Sequence, residues 1–563
     1  MAQSLLQGNL QKLLRSYWHL GLILMIGIWL LWPIPDASSH VAARAERKAE
    51  DVRYTIKISP GGAYLPGTHP YGIGEALHGL TDVITAFEAR FPDTRVEILT
   101  VPSVREYLVT QLSSGHAPDI LNVNVENVWT DIHKGWYVPL DSFLEQPNPF
   151  VVERDADAPG SKQWWDMFRY QAISRGKAAP DGLSYCLTFD MVETGIFYNK
   201  TLFRQLGLEV PTDWEQFMEA MAIIRQQARE DGNSTVPLLI NIDAYNDWTK
   251  DLFFDQVYHD LLPGIDLYQD PIREPYLEGY LDWDELAFLR QKGFFGRDDP
   301  RYRVVWERMR DLKQYTNRNL IADDLVREFI TERAAMIWTV CHLSHRLAMD
   351  RDLGFDWGVF YIPSFTKETT SFASGQPMCV IGGAATQLEV TNSAISDTDP
   401  TLPMDQRIAQ SQRLKRVIAF LQFLCLPEQY AQIVNEYPHY LPNIVGVDPL
   451  PVLQPFEEIL ARRYTTTKWV YSFDLRFSQI QRRMLELYLT GGAQLDEFLI
   501  WQEQNIDAAT ASMMRRKQPD THRLEERWQA LAPLRAQMAG LPPRVSSSDS
   551  QTATQTITTT VDR

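Results

Sequence analysis

A chain of 563 residues with 45% apolar and 22% charged residues is long enough to bury large cores and to divide into several units. Its formal net charge of −18 excludes a nucleic-acid binder, because phosphate affinity needs a basic surface and no Lys/Arg run supplies one. The four cysteines, Cys186, Cys341, Cys379 and Cys425, stand far apart without paired spacing. That excludes zinc and dithiol-redox motifs and predicts buried free thiols.

The N-terminus reads as a targeting segment. Lys12 and Arg15 precede the uncharged run Leu20–Trp32, "LGLILMIGIWLLW", which is followed by Pro33, Pro35 and "DASS". A positive flank, a short apolar core and a small-residue exit describe a secretory signal, either cleaved or kept as an anchor. The core is short for a full span of about 20 residues. Residues Ala42–Asp51 form a charged spacer, and no cysteine follows the apolar core for lipid attachment.

From Arg53 the chain is globular. "RYTIKIS" predicts a strand, "PGGAYLPGTHPYGIG" a Gly/Pro-rich loop, and "ALHGLTDVITAFEARFP" a helix with Leu80, Val83, Ile84 and Phe87 on one face. "TRVEILTV", "VREYLVTQLSSG" and "DILNVN" continue as strand, helix and strand. This β-α-β-α-β order predicts a parallel sheet covered by helices. Further on, "TGIFYNKTLFRQLG" predicts a strand and short helix. "PTDWEQFMEAMAIIRQQARE" predicts an amphipathic helix capped by Thr212, with Glu215 three residues on. "VPLLIN" and "AAMIWTV" read as strands, and "RYRVVWERMRDLKQYT" and "DDLVREFITERA" as helices. "RLKRVIAFLQFLCLPEQYAQIVNE" is one long helix or two. "SQIQRRMLELYLTGG" and "LDEFLIWQEQNIDAATASMMRRK" are late helices, and residues 541–563 form a Ser/Thr-rich tail expected to be disordered. Residues Trp248–Arg301 read as helices with an inserted loop region.

Several segments, in order, resemble one family. They are "ITAFEARFPDTRVEI", "LSSGHAPDILNVN", "GWYVPLDSFL", "IFYNKTLFRQLGLEVPTDWEQF", "FITERAAMIW" and the late helices "VIAFLQFLCLPEQYAQIV" and "LTGGAQLDEFLIWQEQNID". Together they resemble the family 1 extracellular solute-binding proteins of ABC importers, the maltose-binding-protein-like group. The resemblance runs from Arg53 to Lys517. It departs from the family in chain length, in the expanded region Trp248–Arg301 and in the insertion "TNSAISDTDPTLPMDQRI". It implies an α/β fold of two lobes, each a mostly parallel sheet flanked by helices. A hinge of several crossings is expected near Asp190–Thr194, Gln376–Gly383 and Pro438–Val445. Residues 1–52 would be signal or anchor plus spacer. Lobe 1 would take 53–190 and 384–437, and lobe 2 would take 193–375 and 446–533.

The site candidates follow from strand ends, where ligands sit in such folds. Asn122, Asn124 and Glu126 close the "DILNV" strand with groups that can bond sugar hydroxyls, or cap the next helix. Trp338 and His342 end the "AAMIW" strand, in the turn where the maltose-binding-protein-like group places a stacking ring. Trp248 follows a strand end where the family often has an aromatic facing the cleft, and Trp469 lies in the segment that often supplies a late aromatic, with core packing as the alternative for each. Glu193, beside Asp190, lies at the first crossing, and the Gly61–Gly62 turn lets backbone approach a ligand, which makes Gly62 a candidate. Tyr198 and Asn199 read as structural. No hydrolase, dinucleotide or metal motif occurs, so no catalytic residue, metal or cofactor is expected. The resemblance implies an exported, monomeric binding protein. It would take a carbohydrate, an oligosaccharide, between its lobes and hand it to ABC permease subunits. A secreted glycoside-active enzyme and a membrane-anchored sugar sensor are the alternatives.

Overall fold

A computed structural model describes residues 52–542, apart from 70–74, 101–104, 124–127, 129–130, 171–178, 180, 270–280, 323, 380–382, 384, 463 and 466–474. The N-terminal apolar run, the Ser/Thr-rich tail beyond residue 542, and Asn124, Glu126 and Trp469 lie outside the described residues. Two compact units divide the chain. One takes Met1–Thr55 with Glu88–Arg95, and the other Ile56–Phe87 with Val96–Arg563. In the smaller unit the amides of Arg53 and Tyr54 both donate to the Asp93 carbonyl, at 2.8 and 3.0 Å.

The chain forms two larger sheets. The first has the order β2-β1-β3-β11-β4. Its strands are β1 (Tyr54–Ser59), β2 (Thr94–Ile98), β3 (Ile120–Asn122), β4 (Cys186–Thr188) and β11 (Gln387–Val390). The second has the order β7-β8-β6-β9. Its strands are β6 (Thr194–Asn199), β7 (Val236–Leu239), β8 (Ala334–Val340) and β9 (Trp357–Phe360). Short strands β5 (Asp190–Met191) and β12 (Leu441–Pro442) pair with each other, as do β10 (Met378–Cys379) and β13 (Tyr464–Thr465).

The sheets are mixed, where the sequence suggested mostly parallel ones. β1 and β3 run parallel, as do β7 and β8. β11, however, lies antiparallel between β3 and β4, and β6 is antiparallel to both β8 and β9. The reason is the chain's path. Parallel neighbours need a helical crossover. β6 enters its sheet directly from a crossing, and β11 enters the other sheet from the return crossing.

Local chemistry fixes the elements much as their periodicity suggested. The helix Trp214–Glu230 buries Phe217, Met221 and Ile224 along one face. Its cap is Asp213, whose side chain accepts from the Gln216 amide, and not Thr212. The Gln216 amide oxygen instead accepts from Thr212, a reciprocal capping arrangement moved by one residue. "RLKRVIAFLQFLCLPEQYAQIVNE" folds as two helices, Gln412–Leu424 and Pro427–Val434, bent by 74°. Pro427 cannot donate to the preceding turn and starts the second helix. Asp119, 1% exposed, explains the Pro-Asp of "LSSGHAPDILNVN". It accepts two bonds from Arg413, at 3.0 and 2.6 Å, and one from the Lys57 amide at 2.7 Å, so it locks β1, β3 and the Gln412–Leu424 helix together. All four cysteines are buried thiols outside any disulfide. Among the described residues, no single helix is long and apolar enough to cross a membrane.

Candidate functional site

Three chain segments meet where the two sheets connect. β5 pairs antiparallel with β12, Met191 opposite Leu441 and Asp190 opposite Pro442, and the Val192 amide donates to the Gly383 carbonyl at 2.8 Å. These are the three regions where the sequence placed the crossings. Asp190 holds the junction. Its buried carboxylate accepts from the Tyr64 hydroxyl at 2.9 Å and from the amides of Ala385 and Thr386 at 2.8 and 2.9 Å. Burial pushes its pKa up to about 6 against these donors, and burial also raises the Tyr64 phenol well above its ordinary value.

Glu193 follows, fully buried. Its Oε1 accepts from the Thr194 amide at 2.6 Å and the Thr194 hydroxyl at 3.2 Å, while Oε2 has no partner among the described residues. Burial drives this carboxyl far above the usual carboxylate range, and the positive charge of Arg462 opposes the shift. Taking up a proton is how such a carboxyl avoids burying an unpaired charge.

A row of rings leads away from this point. Trp338, opposite Ile196 in the β8–β6 pairing, is 2% exposed, and its Nε1–H has no acceptor among the described residues. Trp248 lies 6.3 Å from it, and Tyr361 lies 6.4 Å from it, edge-on. Trp248 is only half-buried. It stands on a π-helical turn, Tyr245–Thr249, in which the Thr249 hydroxyl donates to the Ala244 carbonyl at 3.2 Å. Such turns are wide, strained and common where a side chain must be aimed. Trp248 therefore offers a ring face and Trp338 supports it from the core. Beyond Tyr361, the Arg462 guanidinium lies 4.9 Å over the ring, and the Tyr361 hydroxyl is 3.5 Å from that of Thr194.

His342 sits at the N-terminus of the helix Leu343–Met349, half-buried, and stacks on His439 at 5.4 Å and 12°. His345 packs on Tyr437 at 4.1 Å. Burial lowers the pKa of His342 and His345. His439 falls to about 4, through burial first and then the two neighbouring imidazoles. Among the described residues no group of three His, Cys, Asp or Glu side chains could hold a metal ion.

Asn122 and Gly62 stand apart from this row. The Asn122 Oδ1 accepts from the Gln387 amide at 2.9 Å, and Gly61, at φ +77°, approaches so closely that a Cβ there would lie 2.1 Å from Asn122 Nδ2. Asn122 thus joins β3 to β11 and to the turn after β1. Gly62 is exposed with open space around it. Asn124, Glu126 and Trp469 fall outside the described residues. Sequence reasoning missed Tyr64, Tyr361, His439 and Arg462. Tyr64 had a usable signal as an aromatic within a Gly/Pro-rich loop. The others come from distant segments and had none.

Comparison with known proteins places this geometry. Residues 75–262 match the family of bacterial extracellular solute-binding proteins. A multiple sugar-binding protein of Streptococcus mutans is 26% identical over 151 residues, 26% of this chain and 30% of that protein's length. The chain thus spans under a third of the curated relative it matches. Among solved structures, a chitin oligosaccharide binding protein superposes with a TM-score of 0.54 at 17% identity, over 81% of this chain and 98% of that one. A binding protein of Bacillus subtilis, in an open conformation, gives 0.54 at 13% identity over 84% and 100%. The sugar-binding protein of Xanthomonas citri gives 0.52 at 17% over 82% and 97%. These likenesses fix the fold as the two-lobed periplasmic-binding-protein fold.

Proposed function

We propose that this chain, an extracellular solute-binding protein of the bacterial family matched over residues 75–262, captures a carbohydrate, an oligosaccharide, between its lobes. The observation that carries the reading is the aromatic row at the chain crossings: a half-buried Trp248 backed by Trp338, whose Nε1–H awaits an acceptor. A ring face suits the apolar face of a pyranose, and the indole donor suits a hydroxyl oxygen. The relatives' sugar-binding descriptions point the same way. Lobe 1 comprises 53–190 with 384–437, and lobe 2 comprises 193–375 with 446–533. Asn122, Asn124, Glu126 and Gly62 would contribute from the first lobe, Glu193 from the first crossing, and Trp248, Trp338, His342 and Trp469 from the second.

The protein makes and breaks no bond. A ligand touching both lobes favours the closed arrangement by its differential affinity, and the closed form docks on ABC permease subunits. The chain works as an exported monomer, with the N-terminal apolar segment as signal or anchor. The test is a thermal-shift screen of the chain from Ala45 onward against neutral oligosaccharides, followed by small-angle scattering. A saturating ligand should raise the melting temperature by mass action and reduce the radius of gyration. Hydrolysis products in the same incubations, or no glycan shift at all, would overturn the reading.

A further inference from the structure

The third chain crossing opens with "EYPHYLP", Glu436 to Pro442, and this short stretch is tied to three other parts of the chain. The Glu436 carboxylate accepts from the amides of His78 and Gly79, at 2.7 and 2.9 Å, which fixes the start to the segment after β1. Leu441 and Pro442 pair with Met191 and Asp190 of the first crossing. Between these anchors the His439 amide donates to the Tyr437 carbonyl at 2.7 Å, a three-residue turn about Pro438, whose ring-locked φ suits it. Rings on both sides of that turn meet one helix, Leu343–Met349, which follows β8 of the second sheet. Tyr437 packs on His345 at 4.1 Å, and His439 stacks on His342 at 5.4 Å and 12°. The Cys341 thiol lies 3.7 Å from the His439 carbonyl, and the Cys341 amide donates to the Glu193 carbonyl at 2.8 Å. The turn after β8 thus touches the first and third crossings together.

Imidazole is the side chain that changes charge as a neutral solution turns mildly acid. Two neutral rings stack as flat faces, whereas two protonated ones would hold like charges 5.4 Å apart in a partly buried place. Even one proton is opposed there. The rings are half-buried, and His342 caps a helix whose first amides repel a cation. His439 is faced by His342 and His345 from that helix, by Tyr437 and Tyr440 from its own segment, and by the Cys341 thiol. Behind Cys341 stand the buried carboxyls of Glu193 and Asp190, each held by donors of its own. The exposed Arg346 adds a positive charge to the helix, and Glu436 is spent on its two amides. We infer that the His342–His439 stack, with His345 on Tyr437 beside it, is an acid-released latch. Neutral, it ties the third crossing to the helix Leu343–Met349; protonated, it frees that crossing to bend as the two lobes move. This rests on the two-lobed fold and not on the identity of the ligand. The size of the effect follows from His439, whose pKa is about 4 when stacked and 6.5 when released to water. The released-to-stacked ratio then rises about thirtyfold between pH 7.5 and 5.0.

Amide hydrogen exchange of the full chain at pH 7.5 and 5.0, corrected for the intrinsic exchange rate and read by mass spectrometry, tests this. Peptides covering 339–350 and 436–445 should lose protection at pH 5.0 by at least about fivefold and up to about thirtyfold. The helix Trp214–Glu230 is the internal control and should keep its protection. His439→Phe keeps a ring on His342 and removes the proton site, so its protection should be the same at both pH values. His439→Gln serves the same purpose should phenylalanine fail to pack. Small-angle scattering on the same samples reads the hinge: the radius of gyration should change at pH 5.0 in the wild type and stay constant in His439→Phe. Equal protection of the wild type at both pH values overturns the latch. So does an equal loss in the control helix, which would be general acid loosening, or an equal loss in both variants, which would place the proton elsewhere, as on Asp190. Released peptides with an unchanged radius of gyration overturn the role in the hinge.

Discussion

Trp338 separates support from contact most sharply. It is 2% exposed, packs against both Trp248 and Tyr361, and is anchored in β8 opposite Ile196. Replacing it by alanine empties a close-packed site and should cost about 3–5 kcal/mol of stability, as large-to-small core changes do. Phenylalanine keeps most of the ring and deletes the Nε1–H, which has no acceptor in the described structure. Leaving a buried donor unmade costs about 1–3 kcal/mol, so its removal offsets the lost volume and Trp338→Phe should change stability by less than about 1.5 kcal/mol. If ligand supplies the acceptor, the variant forfeits one hydrogen bond of about 0.5–1.5 kcal/mol, a loss of roughly threefold to tenfold in affinity. Urea midpoints give the first quantity and calorimetric titration of the screened glycan gives the second. Trp248→Ala is the reference: with one face already open, it should lower stability little and affinity more than tenfold, the cost of a stacked anchor being about 2 kcal/mol. Unchanged affinity in both Trp338→Phe and Trp248→Ala would refute the reasoning and move the site away from this row.

Gly61→Ala should cost about 2 kcal/mol or more, since φ +77° is a left-handed conformation and the new Cβ would strike Asn122 Nδ2; denaturant titration checks it, and a neutral outcome would show that the turn relaxes freely. Asp119→Ala leaves Arg413 facing a pocket without its carboxylate and should destabilise by about 3 kcal/mol, with Arg413→Met at the same time recovering part of the loss. The histidines set a pH window. His439, held near 4 against an unfolded value near 6.5, contributes stability that is whole above pH 6.5 and is lost as pH falls through 4. Asp190, held near 6, works oppositely, and protonating it stabilises the fold as pH drops from about 6 towards 4. The informative quantity is therefore the wild-type stability minus that of His439→Gln, which should fall by about 2 kcal/mol between pH 7.5 and 5.0; a constant difference would show that His439 titrates normally.

The fold was legible where burial is periodic along the chain. The helix face at Leu80, Val83, Ile84 and Phe87 forms as its spacing suggested, and "RYTIKIS", "TGIFYNK" and "AAMIWTV" form as short apolar runs, β6 and most of β8 being buried on both faces. Strand direction was not legible. The sequence of β11 says nothing of lying antiparallel between β3 and β4, since its partners come from hundreds of residues away. Trp338 could be proposed from the sequence because it lies near the end of an apolar strand, and Trp248 because it follows one. Their neighbours could not, because Arg462, Tyr361 and His439 reach the same point from three separate segments. Asn122 shows the converse: its amide looks free for a ligand in sequence, yet in space its oxygen is held by the Gln387 amide.

That same insertion of β11 has a bearing on when the molecule becomes a molecule. β3 and β4 can both be made early, but they do not touch; each pairs only with β11. Roughly 200 residues separate β4 from β11, which at about 5–20 residues per second is on the order of 10–40 s of synthesis. Until then the first sheet has an open edge in its middle, Asn122 lacks its partner, and the contacts that would close it are of the long-range kind that form slowly. The chain thus carries its own delay: the part of the first sheet that is made early must wait for a strand made roughly 200 residues later.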